Sequence, residues 1–299
     1  EERIPLIEKF QKMYETMDFY VLYNRFLKKE GYQTLPRRPL EKRKLRYEDV
    51  YPVLYLKYRL SRQAERSNIK HLVIDEMQDY SRLQYLIIRR MFSCKMTILG
   101  DRAQTMADQQ QDVLQFLPGI FGKDLRRIEM RKSYRNTVEI ASYAANLIGV
   151  TDLELFERHG MPVLERDVTD LEAALREAVD TLFPDEKTYE TAAVIVPDEK
   201  TAERAYLILR EILAEKDFDC EKRLSWLNRD SSSFKKGLTV TTFYLAKGLE
   251  FDQVFSIFPK DEKREMMMQA QYIAATRALH ELRAVSYTHL RAHETRSNL

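Results

Sequence analysis

Asp75 and Glu76 are adjacent carboxylates that follow directly on the apolar run Leu72-Val73-Ile74. Such a run, largely β-branched and ending in acid, predicts a fully buried parallel strand with the acidic pair at its carboxyl end. Open α/β sheets bind their ligands at that edge. The pair suits nucleotide hydrolysis: one carboxylate holds the hydration shell of Mg²⁺ while its neighbour orients or deprotonates the attacking water. Taken by itself it reads equally as a strand ending in a solvated Asp-Glu turn.

Three further stretches place functional groups in comparable settings. Met96-Thr97-Ile98-Leu99 is a short apolar run leading into Gly100-Asp101-Arg102-Ala103-Gln104, again a strand followed by a glycine and a polar turn. Asn136 and Glu139 have nearly the spacing of a capping box, and Ile140, Tyr143, Ala144, Leu147 and Ile148 form an apolar helix face before Gly149. Arg135 therefore precedes a helix amino terminus, where the helix dipole gives a cation no advantage. Leu238 to Phe243 predicts a strand by β-propensity. It is followed by Lys247-Gly248, a turn able to approach a ligand backbone, by Glu250, and by a second strand from Val254 to Phe258. Gln269 to His280 predicts a helix carrying Arg277.

The order of these stretches resembles UvrD/Rep-type superfamily 1 helicases. Asp75-Glu76-Met77-Gln78-Asp79 is similar to their Walker B box, and Gly100 to Gln104 to their Gly-Asp-x-x-Gln box. Ser133-Tyr134-Arg135-Asn136 is similar to motif four, Thr241 to Asp252 to motif five, and Gln269 to His280 to motif six. The resemblance implies that Asp75 holds Mg²⁺, Glu76 activates water, Gln104 senses the γ-phosphate, and Gln78 and Asp101 help organise the site. It implies that Arg135 and Arg277 meet the transferred phosphoryl charge, for which a guanidinium fork is well shaped. It also implies that Gly248 and Glu250 contact the nucleotide, Glu250 at the ribose, and that Thr241 and Thr242 lie near the nucleic-acid backbone. Phe243 and Tyr244 stand where many relatives carry Val/Ile and His. Tyr80, Leu83-Gln84-Tyr85 and the Tyr47 to Lys57 segment look like the HelD branch, whose members act on RNA polymerase.

Composition sets the frame for these elements. The 299 residues are 44% apolar and 32% charged, enough for two domains with their own cores. No apolar run approaches the roughly 20 residues of a bilayer-spanning helix, and no signal-peptide pattern opens the chain, which predicts a cytoplasmic protein. Cys94 and Cys220 lack metal-ligand spacing and read as buried thiols. The net charge of +2 makes no global case for nucleic acid, so any such surface must be local. Arg37-Arg38-Pro39-Leu40-Glu41-Lys42-Arg43-Lys44 is one local candidate, a basic loop that either touches phosphate or is only solvated. Helical spacing joins Ile7, Phe10, Tyr14 and Met17 and continues to Phe26-Leu27, with Gly31 as the stop. Val50, Leu54 and Tyr58 mark a second helix, and Ser81 caps a third bearing Leu83, Leu86, Ile87 and Phe92. Residues 105–127, with Gln109 to Gln111 and Pro118-Gly119, read as a loop-rich passage. Between 150 and 237 we expect helices from Leu171 to Leu182 and Ala202 to Leu213 around a buried strand at Ala192 to Val196, then a loop at Ser231 to Ser233.

Two departures qualify the resemblance. No Gly-x-x-x-x-Gly-Lys-Ser/Thr phosphate loop occurs in the 299 residues; Gly119 to Lys123 ends in a Gly-Lys pair with the wrong glycine spacing and no Ser/Thr. From Val285 the sequence looks like a translated sequencing adaptor, and the His289 and His293 pair within it has no companion ligands. The expected architecture is α/β with tandem RecA-like P-loop NTPase domains. Residues 1–128 would be a partial first domain with a helical amino-terminal part and no Walker A loop, residues 129–284 a second RecA-like domain, and residues 285–299 a non-native tail. The implied function is a fragment of an ATP-dependent translocase or helicase that binds ATP and Mg²⁺ between its two domains and acts on DNA. The alternative is a HelD-type factor that uses the same ATPase to release RNA polymerase from nucleic acid.

Overall fold

A computed structural model describes residues 16, 18–60, 66, 68–101, 104, 112–122, 125–130, 132–151, 154–183, 189–216, 218–231, 236–260 and 264–288. Ile7, Phe10, Tyr14, Met17, Gln109 to Gln111, Ser232, Ser233, His289 and His293 lie outside them. The chain divides into two compact units, residues 1–102 with 110–127 and residues 103–109 with 128–299.

The first unit is built on two helices, α1 (Phe19–Lys29) and α2 (Tyr47–Leu60). Asp18 caps α1 by accepting from the Tyr20 and Val21 amides. Tyr20, Tyr23 and Leu27 are its buried face and pack with Leu35, Val53 and Leu56. The apolar spacing located α2 but missed what it buries. Val50 is exposed, whereas Asp49 is 2% exposed because the Tyr23 hydroxyl (2.8 Å) and Arg46 Nε (2.7 Å) both donate to its carboxylate. Burial and that carboxylate push the Tyr23 phenol up to about 12.

β1 (His71–Ile74) pairs in parallel with β2 (Lys95–Ile98), and α3 (Arg82–Met91) and α4 (Val113–Phe121) pack with them. The expectation of a fully buried strand fails here. Ile74 is buried, but His71 and Val73 are exposed, Val73 by 60%. The reason is that this sheet has two strands among the described residues, and only the face bearing Leu72, Ile74 and Ile98 meets helices. Ser81 caps α3 in a capping box with Gln84. The expected loop through 105–127 is also corrected. Asp112 caps α4 through the Leu114 amide, and burial of Val113 and Leu117 outweighs the turn signal of Pro118-Gly119.

The second unit is a six-stranded, wholly parallel sheet in the order β5-β10-β9-β6-β8-β7. Its strands are β5 (Leu164–Val168), β6 (Thr191–Val196), β7 (Leu224–Trp226), β8 (Gly237–Thr242), β9 (Phe251–Pro259) and β10 (Ala278–Tyr287); a separate short pair, β3 (Lys132–Ser133) with β4 (Glu154–Leu155), precedes them. Helices cover both faces. Ala192, Val194 and Val196 of β6 point into a core with α6 (Leu171–Asp180) and α7 (Glu199–Ala214). Ala193 and Ile195 point the other way, toward α5 (Val138–Leu147) and α9 (Arg264–Ala275). A one-turn helix, α8 (Cys220–Arg223), leads into β7. Two covered faces explain why these strands read as continuous apolar runs.

Two boundaries differ from expectation. The helix predicted through His280 stops at Ala275, because from Ala278 the chain pairs with β9 instead. The sheet also runs past the proposed tail boundary: Val285 and Tyr287, 2% and 3% exposed, belong to its core and pair with β5 and β9. The fold class expected from sequence, α/β with parallel sheets flanked by helices, is the one observed. Among the described residues no helix is long and apolar enough to cross a membrane.

Candidate functional site

In the first unit the acidic pair emerges from the carboxyl end of β1. Asp75 is exposed, and its Oδ1 accepts from the Glu76 amide at 2.8 Å. Glu76 adopts left-handed backbone angles, φ 51° and ψ 50°, which turn the chain sharply off the strand into a 3-10 turn at Met77–Asp79. Gln78, 8% exposed, links the two boxes: its Nε2 donates to Glu76 Oε2 (2.6 Å) and its Oε1 accepts from the Asp101 amide (3.0 Å). Met77 N donates to Leu99 O, and the Tyr85 hydroxyl donates to Met77 O. The two strand ends are thus tied together beneath the carboxylates. Gly100 is needed for that approach, since a Cβ there would lie 2.6 Å from the Met77 backbone nitrogen and against the Gln78 carboxamide.

In the second unit three connections carry the remaining candidates: Arg135 just before α5, Glu250 just before β9, and Arg277 between α9 and β10. Asn136 does not cap α5; Thr137 does, accepting from Ile140 N. Asn136 Nδ2 instead donates to Thr276 O (3.3 Å) and Ala278 O (2.6 Å), tying the start of α5 to the turn of Arg277. Phe251 N donates to Arg277 O at 2.9 Å, which adds the Glu250 connection. Arg158 Nη2 donates to the Arg135 carbonyl and to Leu279 O. The sequence reading gave Asn136 the wrong task and missed Arg158, for which no local pattern offers a signal.

Arg135 and Glu250 meet as an ion pair at 2.8 Å, each side chain close to half exposed. Arg277, 2% exposed, donates to Ile273 O (3.3 Å), Leu249 O (3.4 Å), Thr276 Oγ1 (3.1 Å) and Gln104 Oε1 (3.4 Å). Gln104 groups with this second unit. Gly248, at φ +82°, makes the turn that returns the chain to β9. Glu139 accepts from His159 Nδ1 (2.9 Å) and Gly160 N (2.8 Å), and the His159 bond, the largest influence, holds its carboxyl well below the usual range, at about 2.

Thr241 and Thr242 sit elsewhere. They end β8 at the carboxyl edge of the sheet and are buried, Thr241 Oγ1 donating to Leu227 O. Glu250 and Arg277 stand at the amino edge, and since Thr241 and Ser256 both pair with Ile195, six residue steps of strand, about 20 Å at roughly 3.3 Å per residue, separate Glu250 from the level of Thr241. Gln84 and Tyr85, which carried the HelD likeness, are used locally, in the cap of α3 and in the core. Among the described residues no group of three or more His, Cys, Asp or Glu is arranged to hold a metal ion.

The chain thus combines parallel sheets flanked by helices with an acidic strand end in the first unit and, in the second, Arg135, Glu250 and Arg277 on three connections tied to one another. Residues 5–106 match the UvrD/REP helicase N-terminal domain family. No curated protein gives a match. Among solved structures, the C-terminal domain of a possible DNA helicase from Lactobacillus plantarum WCFS1 is similar at 23% identity, over 52% of this chain and 88% of that one, with a TM-score of 0.39. Arterivirus nonstructural protein 10, a helicase, is similar at 15% identity, over 74% and 39%, with a TM-score of 0.35. The PRRSV helicase is similar at 16% identity, over 75% and 36%, with a TM-score of 0.36.

Proposed function

We propose that this chain carries catalytic parts of an ATP-dependent nucleic-acid translocase of the UvrD/Rep kind, with its parallel sheets as tandem RecA-like domains. The observation that carries this reading is the tie from Glu76 through Gln78 to Asp101, which makes one unit of the two boxes nearest the acidic pair. The match over residues 5–106 supports it. Asp75, exposed at a strand end with one carboxylate oxygen used by a backbone amide, fits a hydrated Mg²⁺. That ion would screen the phosphates of ATP. Glu76, oriented by Gln78, would take the proton of the attacking water, and Gln104 would report on the γ-phosphate. Arg135, exchanging Glu250 for phosphate, would meet the charge of the transition state together with Arg277, leaving Glu250 for the ribose and Gly248 for close approach. DNA is the proposed track, with Thr241 and Thr242 marking the sheet edge nearest it. RNA polymerase as partner gains no support from the site.

ATP turnover tests the reading. The 299-residue chain has no phosphate loop and should release no phosphate, with or without single-stranded DNA. Extended at its amino end by a strand and a Gly-x-x-x-x-Gly-Lys-Ser/Thr loop, it should show DNA-stimulated turnover, which Glu76→Gln lowers about 100-fold or more. An extended chain that stays silent would sink the motor reading. Turnover by the unextended chain that Glu76→Gln removes would overturn the requirement for the loop.

A further inference from the structure

The connection between α1 and α2 concentrates charge. Residues 28–44 hold seven basic and two acidic side chains, a net +5 within a chain of +2, which leaves −3 for the rest. Only one of these cations is consumed internally. Arg43 Nη1 donates to both Asp18 carboxylate oxygens (2.8 and 2.7 Å), its Nε donates to Arg38 O (3.0 Å), and its guanidinium lies 4.8 Å from the Tyr20 ring centroid. Further ties fix the same connection to α1. The Tyr20 hydroxyl donates to Pro36 O (2.8 Å), and the Asn24 carboxamide exchanges hydrogen bonds with Leu35 (3.3 and 2.7 Å), whose side chain is buried. The backbone from Leu35 to Arg43 is therefore pinned.

Pinning changes what the remaining cations mean. A basic loop that is merely solvated relieves its own repulsion by moving apart. Here Arg37, Arg38, Lys42 and Lys44 are exposed on a fixed backbone and form no ion pair with a described carboxylate. Tyr32 (65% exposed) and Tyr47 (77% exposed) stand at the two ends of the connection. We propose that this surface binds the backbone of single-stranded nucleic acid. The four cations meet phosphates, and the two tyrosines offer ring faces to unpaired bases. An anionic membrane fits less well: α1 turns Tyr20, Tyr23 and Leu27 inward, and the exposed apolar side chains nearby, Phe26, Leu40 and Leu45, are single residues interspersed with charged ones rather than a continuous apolar face. The proposal rests on the motor reading for the class of its ligand and gives that ligand a surface on the first unit; it needs neither nucleotide nor the second unit, so binding without ATP is read separately from turnover.

The test is fluorescence anisotropy of a labelled oligothymidylate with the full chain, without ATP, over a salt series. The quadruple variant Arg37→Ala, Arg38→Ala, Lys42→Ala, Lys44→Ala should bind at least about tenfold more weakly at low salt, and its slope of log affinity against log salt should flatten by about 0.7 for each phosphate that is no longer neutralised. Tyr32→Ala with Tyr47→Ala should weaken binding several-fold at an unchanged slope, because stacking releases no counterions. Circular dichroism melting matched to wild type shows that both variants are folded. Wild-type affinity and slope in the quadruple variant would overturn the proposal. So would a wild-type chain that leaves the oligonucleotide unbound, whether or not it binds phosphatidylserine vesicles.

Discussion

Arg135 and Glu250 illustrate how one ion pair has two possible meanings. A half-exposed pair at 2.8 Å is worth little to the fold, because water screens it and two long side chains lose freedom in forming it. If these groups are kept for a ligand, a double-mutant cycle of Arg135→Ala and Glu250→Ala, read by urea unfolding, should give a coupling of about 0.2–1 kcal/mol. A coupling above about 2 kcal/mol would make the pair a structural fixture and argue against its release to phosphate and ribose. Glu139 is the contrasting case, a carboxylate committed to the fold. Its ordinary value of 4.5 falls to about 2 through the bond from His159, with the Gly160 amide adding to the effect. The folded value is the lower one, so the stabilisation is complete above about pH 4.5 and fades as pH falls toward 2. Glu139→Gln should therefore lower the melting temperature at neutral pH and flatten its drop between those two pH values, so that variant and wild type converge near pH 2. A variant that loses stability with acid as steeply as wild type would exclude this carboxylate as the source.

Between elements, the junction of β1 and β2 carries a sharper prediction. Gly100→Ala would press a Cβ against the Met77 nitrogen and the Gln78 carboxamide, neither of which can move without breaking the link to Glu76. The expected cost is about 1–3 kcal/mol of overpacking strain, read as an earlier unfolding midpoint, and hydrogen exchange at the Asp101 amide should rise as its acceptor is displaced. A midpoint equal to wild type would mean the junction is looser than its distances indicate. The same junction shows what sequence can convey. The chemistry of Asp75, Glu76 and Gln78 was legible because it lies within a few residues. The half-open strand beneath it was not, since burial depends on which partners arrive. Helix α4 hid behind Pro118-Gly119, where burial of Val113 and Leu117 overrode local propensity. Ala278 to His280 continued the apolar spacing of α9 yet became strand, because pairing with β9 is a long-range fact. Asn136 and Arg158 act on carbonyls more than a hundred residues away, beyond any local pattern.

At the scale of the molecule the two units are built to different standards. The second was the more legible: its strands are covered on both faces and read as apolar runs, with Ala192, Ala193, Val194, Ile195 and Val196 all at 0% exposure. Among the described residues the first unit has two small buried clusters and a two-stranded sheet, with Val73 of β1 and Leu99 just past β2 60% and 44% exposed. Opening free energy follows the extent of apolar burial, so the units should differ in protection even though one chain joins them. Hydrogen exchange followed by mass spectrometry should show the amides of β1 and β2 exchanging well before those of β6, β8 and β9. Stacked burial on both faces of a parallel sheet makes the latter group open only with the whole second unit, whereas β1, among the described residues, has a single partner strand and one covered face to lose. Tyr23→Phe should widen the gap further. It removes one of the two donors to the buried Asp49 carboxylate, costs about 1–3 kcal/mol, and weakens the first unit alone, to which both residues belong. If peptides from β1 and β6 exchanged together, and Tyr23→Phe shifted both, the chain would be opening as one cooperative body and the division into units would not extend to its energetics.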